Sequence, residues 1–142
     1  MRKLRELLVF TCLISILWGV SVSALPKPSV VARIPFPFTV EHRQFPAGEY
    51  AIQIKEGGWL LMRSTDGKES AVVLTMPVHG KALDSRGVAV FHQYGDRYYL
   101  SQVRVAASEI GRETLQAQDE VELAKKDKAH VVVLTVQPAA GQ

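Results

Sequence analysis

The chain has only one cysteine, Cys12, among its 142 residues, and this cysteine lies in the apolar N-terminal segment. If that segment is removed, no thiol remains, which excludes disulfide bonds, cysteine-ligated metals and a cysteine nucleophile. A small exported domain without disulfide bonds depends on burial of apolar surface for its stability. The 118 residues after Ala24 suffice for this, and their length predicts one domain.

Long apolar runs are also scarce, and the one that exists, over residues 7–20, lies near the N-terminus. Arg2, Lys3 and Arg5 precede it, and small residues lead up to Ala24. This is the pattern of a secretory signal peptide, with cleavage predicted after Ala24. An uncleaved membrane anchor is the alternative. A spanning helix needs about 20 apolar residues, however, and the run over residues 7–20 is shorter than that. We therefore expect a periplasmic or secreted protein that contacts the membrane only through its cleaved signal peptide.

The sequence lacks a strong excess of either charge. It has 17 basic and 14 acidic side chains; without residues 1–24 these become 14 and 13, a net charge of +1. The only group of cations after Ala24 is Lys125, Lys126 and Lys128, in an acid-rich segment. Because binding to nucleic acid requires a clustered basic surface, no nucleic-acid partner is expected.

Short apolar or alternating segments recur after Ala24, with turn residues between them at intervals of about ten, as in all-β proteins. They predict strands over residues 30–34, 36–40, 49–55, 59–63, 69–76, 88–94, 97–105 and 131–136. Residues 71–74 are apolar without alternation. Such a run predicts a central strand that is covered on both faces.

Turn residues set the connections between these strands. Residues 41–44 predict a polar turn, and residues 77–87 predict a longer loop. Gly95-Asp96 predicts a two-residue hairpin turn of type II′, with glycine at the first central position. An uninterrupted hairpin about this turn would place Val90 opposite Ser101.

Residues 113–128 contain no glycine or proline and are rich in helix-forming residues. Ala117, Val121 and Ala124 have the spacing of an apolar stripe, with Leu123 beside it. The fold predicted is mainly β, a small antiparallel barrel or sandwich of about seven or eight strands with one C-terminal amphipathic helix. A barrel is preferred because closure removes exposed strand edges.

The four histidines show no spacing typical of a metal site, so neither a metal nor a cofactor is predicted. The hairpin turn would place His92 opposite Tyr99 and Tyr94 opposite Arg97 on one face. This face could bind a polar ligand or hold a general base. The alternative is that these cross-strand pairs only stabilise the hairpin.

Aromatic side chains at strand spacing could either line a pocket at a barrel mouth or form the core. The candidate ligand-binding residues are His92, Tyr94, Arg97, Tyr99 and Trp59. A hydrolase would need a serine such as Ser85 or Ser101 on a strained turn, and neither has a G-x-S-x-G context. No catalytic residues are therefore predicted.

Several short motifs resemble those of a family of small exported bacterial β-rich proteins with no assigned function. The motifs are Pro35-Phe36-x-Phe38-x-Val40, Pro46-Ala47-Gly48-x-Tyr50, Phe91-His92-x-Tyr94-Gly95-Asp96-x-Tyr98 and Gly111-Arg112-Glu113. The resemblance spans residues 34–113 and implies a shared fold. It supplies no catalytic residues.

Three functions from different classes follow as hypotheses. The leading one is a non-enzymatic exported β-domain that binds an envelope component, or itself, through its surface. The alternative is a lipocalin-like carrier that holds a small apolar or amphipathic ligand in an internal cavity. The third and weakest is a hydrolase that uses His92, which would need both a nucleophile and an orienting acid within hydrogen-bond distance.

Overall fold

The structure is a computed structural model that describes residues 29–80, 86–106 and 108–139. The predicted signal peptide, including Cys12, lies outside the described residues, as does Ser85. The elements are β1 (Ser29–Ile34), β2 (Phe38–Val40), β3 (Arg43–Phe45), β4 (Gly48–Lys55), β5 (Trp59–Ser64), β6 (Ser70–His79), β7 (Gly87–Tyr94), β8 (Arg97–Arg104), β9 (Ile110–Thr114), α1 (Gln118–Lys126) and β10 (His130–Pro138). No helix among the described residues is long and apolar enough to cross a membrane.

Eight antiparallel strands form a closed barrel, which confirms the predicted fold class. The order around the barrel is β8, β7, β10, β1, β4, β5, β6 and β9, and pairing of β9 with β8 closes it. The short hairpin of β2 and β3 is joined to β8 by a parallel pairing of Thr39 with Tyr99. Strands β2 and β3 are thus additional elements of the wall and do not belong to the closed ring of eight strands.

One cluster of buried side chains fills the interior of the barrel. Its members alternate along the strands, as Val30, Ala32 and Ile34 do in β1. Within this cluster, the ring of Phe38 contacts the rings of Phe45, Tyr50 and Phe91. Most of the aromatic side chains at strand spacing therefore belong to the core.

Two of the short motifs noted in the sequence have structural roles in this fold. In Pro46-Ala47-Gly48-x-Tyr50, the Tyr50 hydroxyl donates a hydrogen bond to the Pro46 carbonyl oxygen at 2.7 Å. In the first motif, the Phe36 ring stacks on the Tyr98 ring with centroids 3.8 Å apart. These contacts join neighbouring turns and strands.

Two strands lie where the sequence predicts other structures. Strand β3 takes in residues 43 and 44, which the sequence predicts to lie in a polar turn, because Phe45 is fully buried in the core and draws this segment into the wall. The turn consists of Glu41 and His42 alone, and Glu41 has a φ of 54°. Residues 110–114 form β9, so the helix begins only at Gln118.

Strand β6 differs from its prediction in both length and burial. It continues through Pro77 to His79, where a loop was expected. The apolar run in β6 is covered on one face only: Val73 is 3% exposed, whereas Val72 is 61% and Leu74 is 41% exposed. The prediction of burial on both faces is wrong, because no described element packs on the outer face of β6 here.

The β7–β8 hairpin has the predicted turn and, near the turn, the predicted register. Gly95 has a φ of 62° while Asp96 keeps a negative φ, as in a type II′ turn. Tyr94 pairs with Arg97 and His92 with Tyr99. Further along, a bulge between Val90 and Phe91 shifts the register, so Val90 pairs with Gln102. The predicted pairing of Val90 with Ser101 is therefore wrong, because a bulge adds one residue to one strand.

Candidate functional site

Helix α1 packs on the outer face of the β7–β8 hairpin. Tyr94, Tyr99 and Ala117 form a second buried cluster there, with Leu123 and Ala129 packed against it. The rings of Tyr94 and Tyr99 meet edge to face at 6.0 Å. The cross-strand face that the sequence predicts thus exists, and a helix covers it.

A hydrogen bond between a histidine and a buried glutamate joins α1 to this face. Glu120 is 3% exposed, and its Oε1 lies 2.8 Å from Nδ1 of His92. With Glu120 ionised, its carboxylate can only accept hydrogen bonds, and Nδ1 of His92 is then the nitrogen that donates. A buried carboxylate is strongly unfavourable without such a partner. The pair therefore fixes both the position of α1 and the orientation of the His92 ring.

The buried face of α1 differs from the predicted stripe. Val121 is 37% exposed and Ala124 is also exposed, whereas Glu120 is buried. The side that faces the hairpin carries Ala117, Glu120 and Leu123, spaced by three residues. The prediction placed acidic residues on the solvated side of the helix, and Glu120 departs from it because His92 supplies a partner.

A second contact holds the hydroxyl of Tyr99. This hydroxyl donates a hydrogen bond to Asp119 Oδ2 at 2.8 Å. Burial raises the pKa of Tyr99, the hydrogen bond to Asp119 raises it further, and the side chain of Arg97 acts against them. Burial also raises the pKa of Tyr94, with a further contribution from Glu120. Both phenols therefore stay neutral well into alkaline solution.

A polar cleft of about 730 Å³ lies beside α1. The β2–β3 hairpin forms one side, the β7–β8 turn the other, and the first turn of α1 closes the end. Its polar side chains include Thr39, His42, Gln44, Arg97, Tyr99 and Asp119. The volume lies in the usual range for small-ligand sites. Both donors and acceptors of hydrogen bonds are present within it.

The five predicted site residues occupy three places. Arg97 and Tyr99 line the cleft, while His92 and Tyr94 lie under α1 and contact Glu120 or Tyr99. Trp59 is on β5, opposite Leu74 on β6, and is 43% exposed. The structure therefore brings four of the five together around one hairpin and leaves Trp59 on a different part of the barrel.

Other residues at this site carry little signal in the sequence. His42 lies in a short polar turn, and Asp119 and Glu120 lie in a charged helix, where solvated side chains are the rule. Glu120 could have been found from its spacing of three residues to both Ala117 and Leu123. Among the described residues, no group of three or more histidine, cysteine or acidic side chains could hold a metal ion.

Comparison of the chain with protein-family models, with curated proteins and with solved structures finds no match. The fold and the geometry of the site are therefore the basis for the proposals that follow.

Proposed function

We propose that the protein is a non-enzymatic exported module that binds a polar, hydroxyl-rich component of the cell envelope in the cleft beside α1. The observation that carries this proposal is the contrast between the inside and the outside of the barrel. Apolar side chains fill the interior, whereas the cleft outside is polar and has the volume of a ligand site. Binding at the outer surface is favoured by this arrangement.

The chemistry of the cleft suits a neutral ligand with many hydroxyl groups. The cleft carries both signs of charge, with Arg97 beside Asp96 and Asp119, and it also carries the neutral polar side chains of Thr39 and Gln44. A hydroxyl group both donates and accepts hydrogen bonds and can therefore pair with all of these side chains. Tyr99 is held in place by burial and by Asp119, which reduces the entropy that binding would otherwise cost.

The two other hypotheses make different demands on the structure. A carrier needs room inside the barrel, where the buried side chains form one packed cluster. A hydrolase needs a nucleophile as well as an orienting acid at His92. Glu120 supplies such an acid, but no serine or threonine hydroxyl is hydrogen-bonded to His92 among the described residues. We therefore favour binding at the cleft over the carrier and the hydrolase.

The test is an NMR titration of the chain that begins at Leu25, with glucose and N-acetylglucosamine as hydroxyl-rich probes. We expect saturable shifts of the backbone amides of Thr39, Gln44 and Arg97, which line the cleft. Arg97→Ala should weaken binding by about tenfold, since it removes a charged hydrogen-bond donor. The matched control is Arg63→Ala, an exposed arginine on β5, which should leave affinity unchanged.

Several outcomes would contradict this proposal. Shifts that cluster on β5 and β6 would place the binding surface there and not in the cleft. Equal losses of affinity in Arg97→Ala and Arg63→Ala would show that binding does not depend on the cleft. Native mass spectrometry of the periplasmic protein gives an independent measurement. A bound apolar molecule would favour the carrier, and bare oligomers would favour self-assembly.

A further inference from the structure

The wall of the barrel has an opening between β3 and β6. Residues 70–74 of β6 pair with β5 on one side, and residues 75–79 pair with β9 on the other. The hairpin of β2 and β3 occupies the part of the wall next to β8 that β9 does not reach. Among the described residues, no strand pairs with the outer edge of β3 or with residues 70–73 of β6 on the side away from β5.

The direction of the unpaired backbone groups follows from two hydrogen bonds. The Ser70 carbonyl oxygen accepts from Arg43 Nη1 on β3, at 2.7 Å. The Thr75 N–H donates to the Gly58 carbonyl oxygen, next to β5, at 2.8 Å. Because the N–H and C=O of one residue share a direction that alternates along an antiparallel strand, Val72 faces β3, as Ser70 does. The N–H and C=O of Val72 therefore point into the opening.

On the opposite side of the opening, β3 also has backbone N–H and C=O groups that face away from its partner strand. Glu41 and His42 form a two-residue turn, so Val40 and Arg43 are the hydrogen-bonded pair that flanks it. The next residue of β3, Gln44, then directs its N–H and C=O away from β2. Two strand edges with free backbone groups thus face each other across the opening.

A groove of about 470 Å³ lies at this opening, and the Arg43 side chain crosses it. Its lining includes Val40, Arg43, Leu61, Ser70 and Val72. The Arg43 guanidinium spans from β3 to the Ser70 carbonyl and to the Glu69 carboxylate, each at 2.7 Å. The Ser70 carbonyl oxygen, which could accept a hydrogen bond from the N–H of a neighbouring strand, thus accepts one from Arg43.

An apolar surface, exposed except at the half-buried Leu61, continues from the groove over β5 and β6. We call it the bare face; its members are Trp59, Leu61, Val72, Leu74 and Met76. Leu61 pairs with Val72 and Trp59 with Leu74, so their side chains lie side by side on the outside of the barrel. Met76 is 54% exposed at the end of this row. An edge with free backbone groups next to exposed apolar side chains is a typical site for pairing with another chain.

We propose that an extended segment of a partner protein adds as a β-strand at this edge of β6, with alternate apolar side chains against the bare face. Strand addition uses backbone hydrogen bonds for affinity and alternate side chains for specificity. A polypeptide fits this surface better than a sugar or a lipid, because the groups left free are backbone donors and acceptors in a strand arrangement. His42 lines both the groove and the cleft beside α1, but no residue of β6 or of the bare face lines the cleft.

The test uses three fluorescent heptapeptides, in which threonine alternates with valine, leucine or phenylalanine. The fluorescence anisotropy of each peptide is measured as the chain that begins at Leu25 is added. We expect at least one peptide to bind saturably. Val72→Pro removes the N–H that faces the opening but no N–H that pairs with β5, so it should weaken binding about tenfold. The matched control Val72→Thr keeps the N–H and the branched shape, and should bind within about threefold of the original chain.

A second measurement guards against misfolding of the proline variant. The unaltered protein is titrated with two N-methylated versions of the same peptide. In one phase the methyl groups are on the odd-numbered backbone nitrogens, and in the other phase they are on the even-numbered ones. One phase should bind about tenfold more weakly than the other, because only one set of N–H groups faces β6. Equal affinity for both phases, or no binding by any of the three peptides, would overturn the proposal. A concentration-dependent dimer that Val72→Pro abolishes would also overturn it, by making a second copy the occupant.

Discussion

Two parts of the outer surface of this barrel invite comparison: the face of β7 and β8 that α1 covers, and the bare face of β5 and β6. The covered face carries His92 and two tyrosines, whereas the bare face carries Trp59, Val72 and Leu74. The more polar face is therefore the buried one, and the more apolar face is exposed. Hydrogen-bond partners on a covering element, and not hydropathy alone, decide which face of a closed barrel can be buried.

The largest effect is expected from breaking the contact between His92 and Glu120 under α1. His92→Leu leaves the Glu120 carboxylate buried without its partner and should lower the free energy of unfolding by about 3 kcal/mol. Urea unfolding at neutral pH measures this loss. The double variant His92→Leu with Glu120→Leu should recover most of it, since it removes the unpaired charge as well. No recovery would show that the charge is not what makes this face sensitive.

A smaller effect is expected at the second contact between α1 and the hairpin. Tyr99→Phe removes the hydroxyl that donates to Asp119 and should lower the free energy of unfolding by about 1 kcal/mol. Asp119→Asn keeps an acceptor for this hydroxyl and serves as the control, with a smaller expected loss. If the two variants were equally unstable, charge and not the tyrosine hydroxyl would account for the contact.

The tyrosines of the covered face also predict a dependence on alkaline pH. Their folded-state pKa values are raised, so below a pH of about 10 both the folded and the unfolded chain keep the protons and stability is unaffected. Above about pH 10 the unfolded chain loses these protons first, and stability falls as the pH rises. Tyr99→Phe should reduce this slope without abolishing it, because burial raises the pKa values of Tyr50 and Tyr94 too. Urea unfolding across this pH range measures the slope.

The smallest effect on stability is expected on the bare face. Leu74→Thr should change the free energy of unfolding by less than about 0.5 kcal/mol, because this side chain is 41% exposed and lies away from the core cluster. Its buried neighbour Val73 provides the contrast: Val73→Ala should cost about 2 kcal/mol through the cavity that it leaves. Thermal unfolding of the two variants side by side checks this. Similar losses would mean that the bare face is buried in solution.

Much of the fold could be predicted from the pattern of residues. Alternation places the strands, and Gly95 with its positive φ sets the β7–β8 turn. The pattern fails at β3 and β9, three and five residues long, because such short strands depend on their neighbours. At the site, Arg97 and Tyr99 could be found from the hairpin register. Glu120 was missed because the predicted apolar stripe followed Ala117, Val121 and Ala124, which left the acidic residues on the solvated side of the helix.

The sequence by itself determined that the chain folds as a β-rich domain with one late helix, because apolar alternation, turn residues and helix formers are local properties of the chain. Tertiary structure alone decided which outward faces are covered and which strand edges are left free. It set Glu120 against His92, and it left the opening between β3 and β6. These features depend on contacts between residues that are distant along the chain, and no local pattern of residues records them.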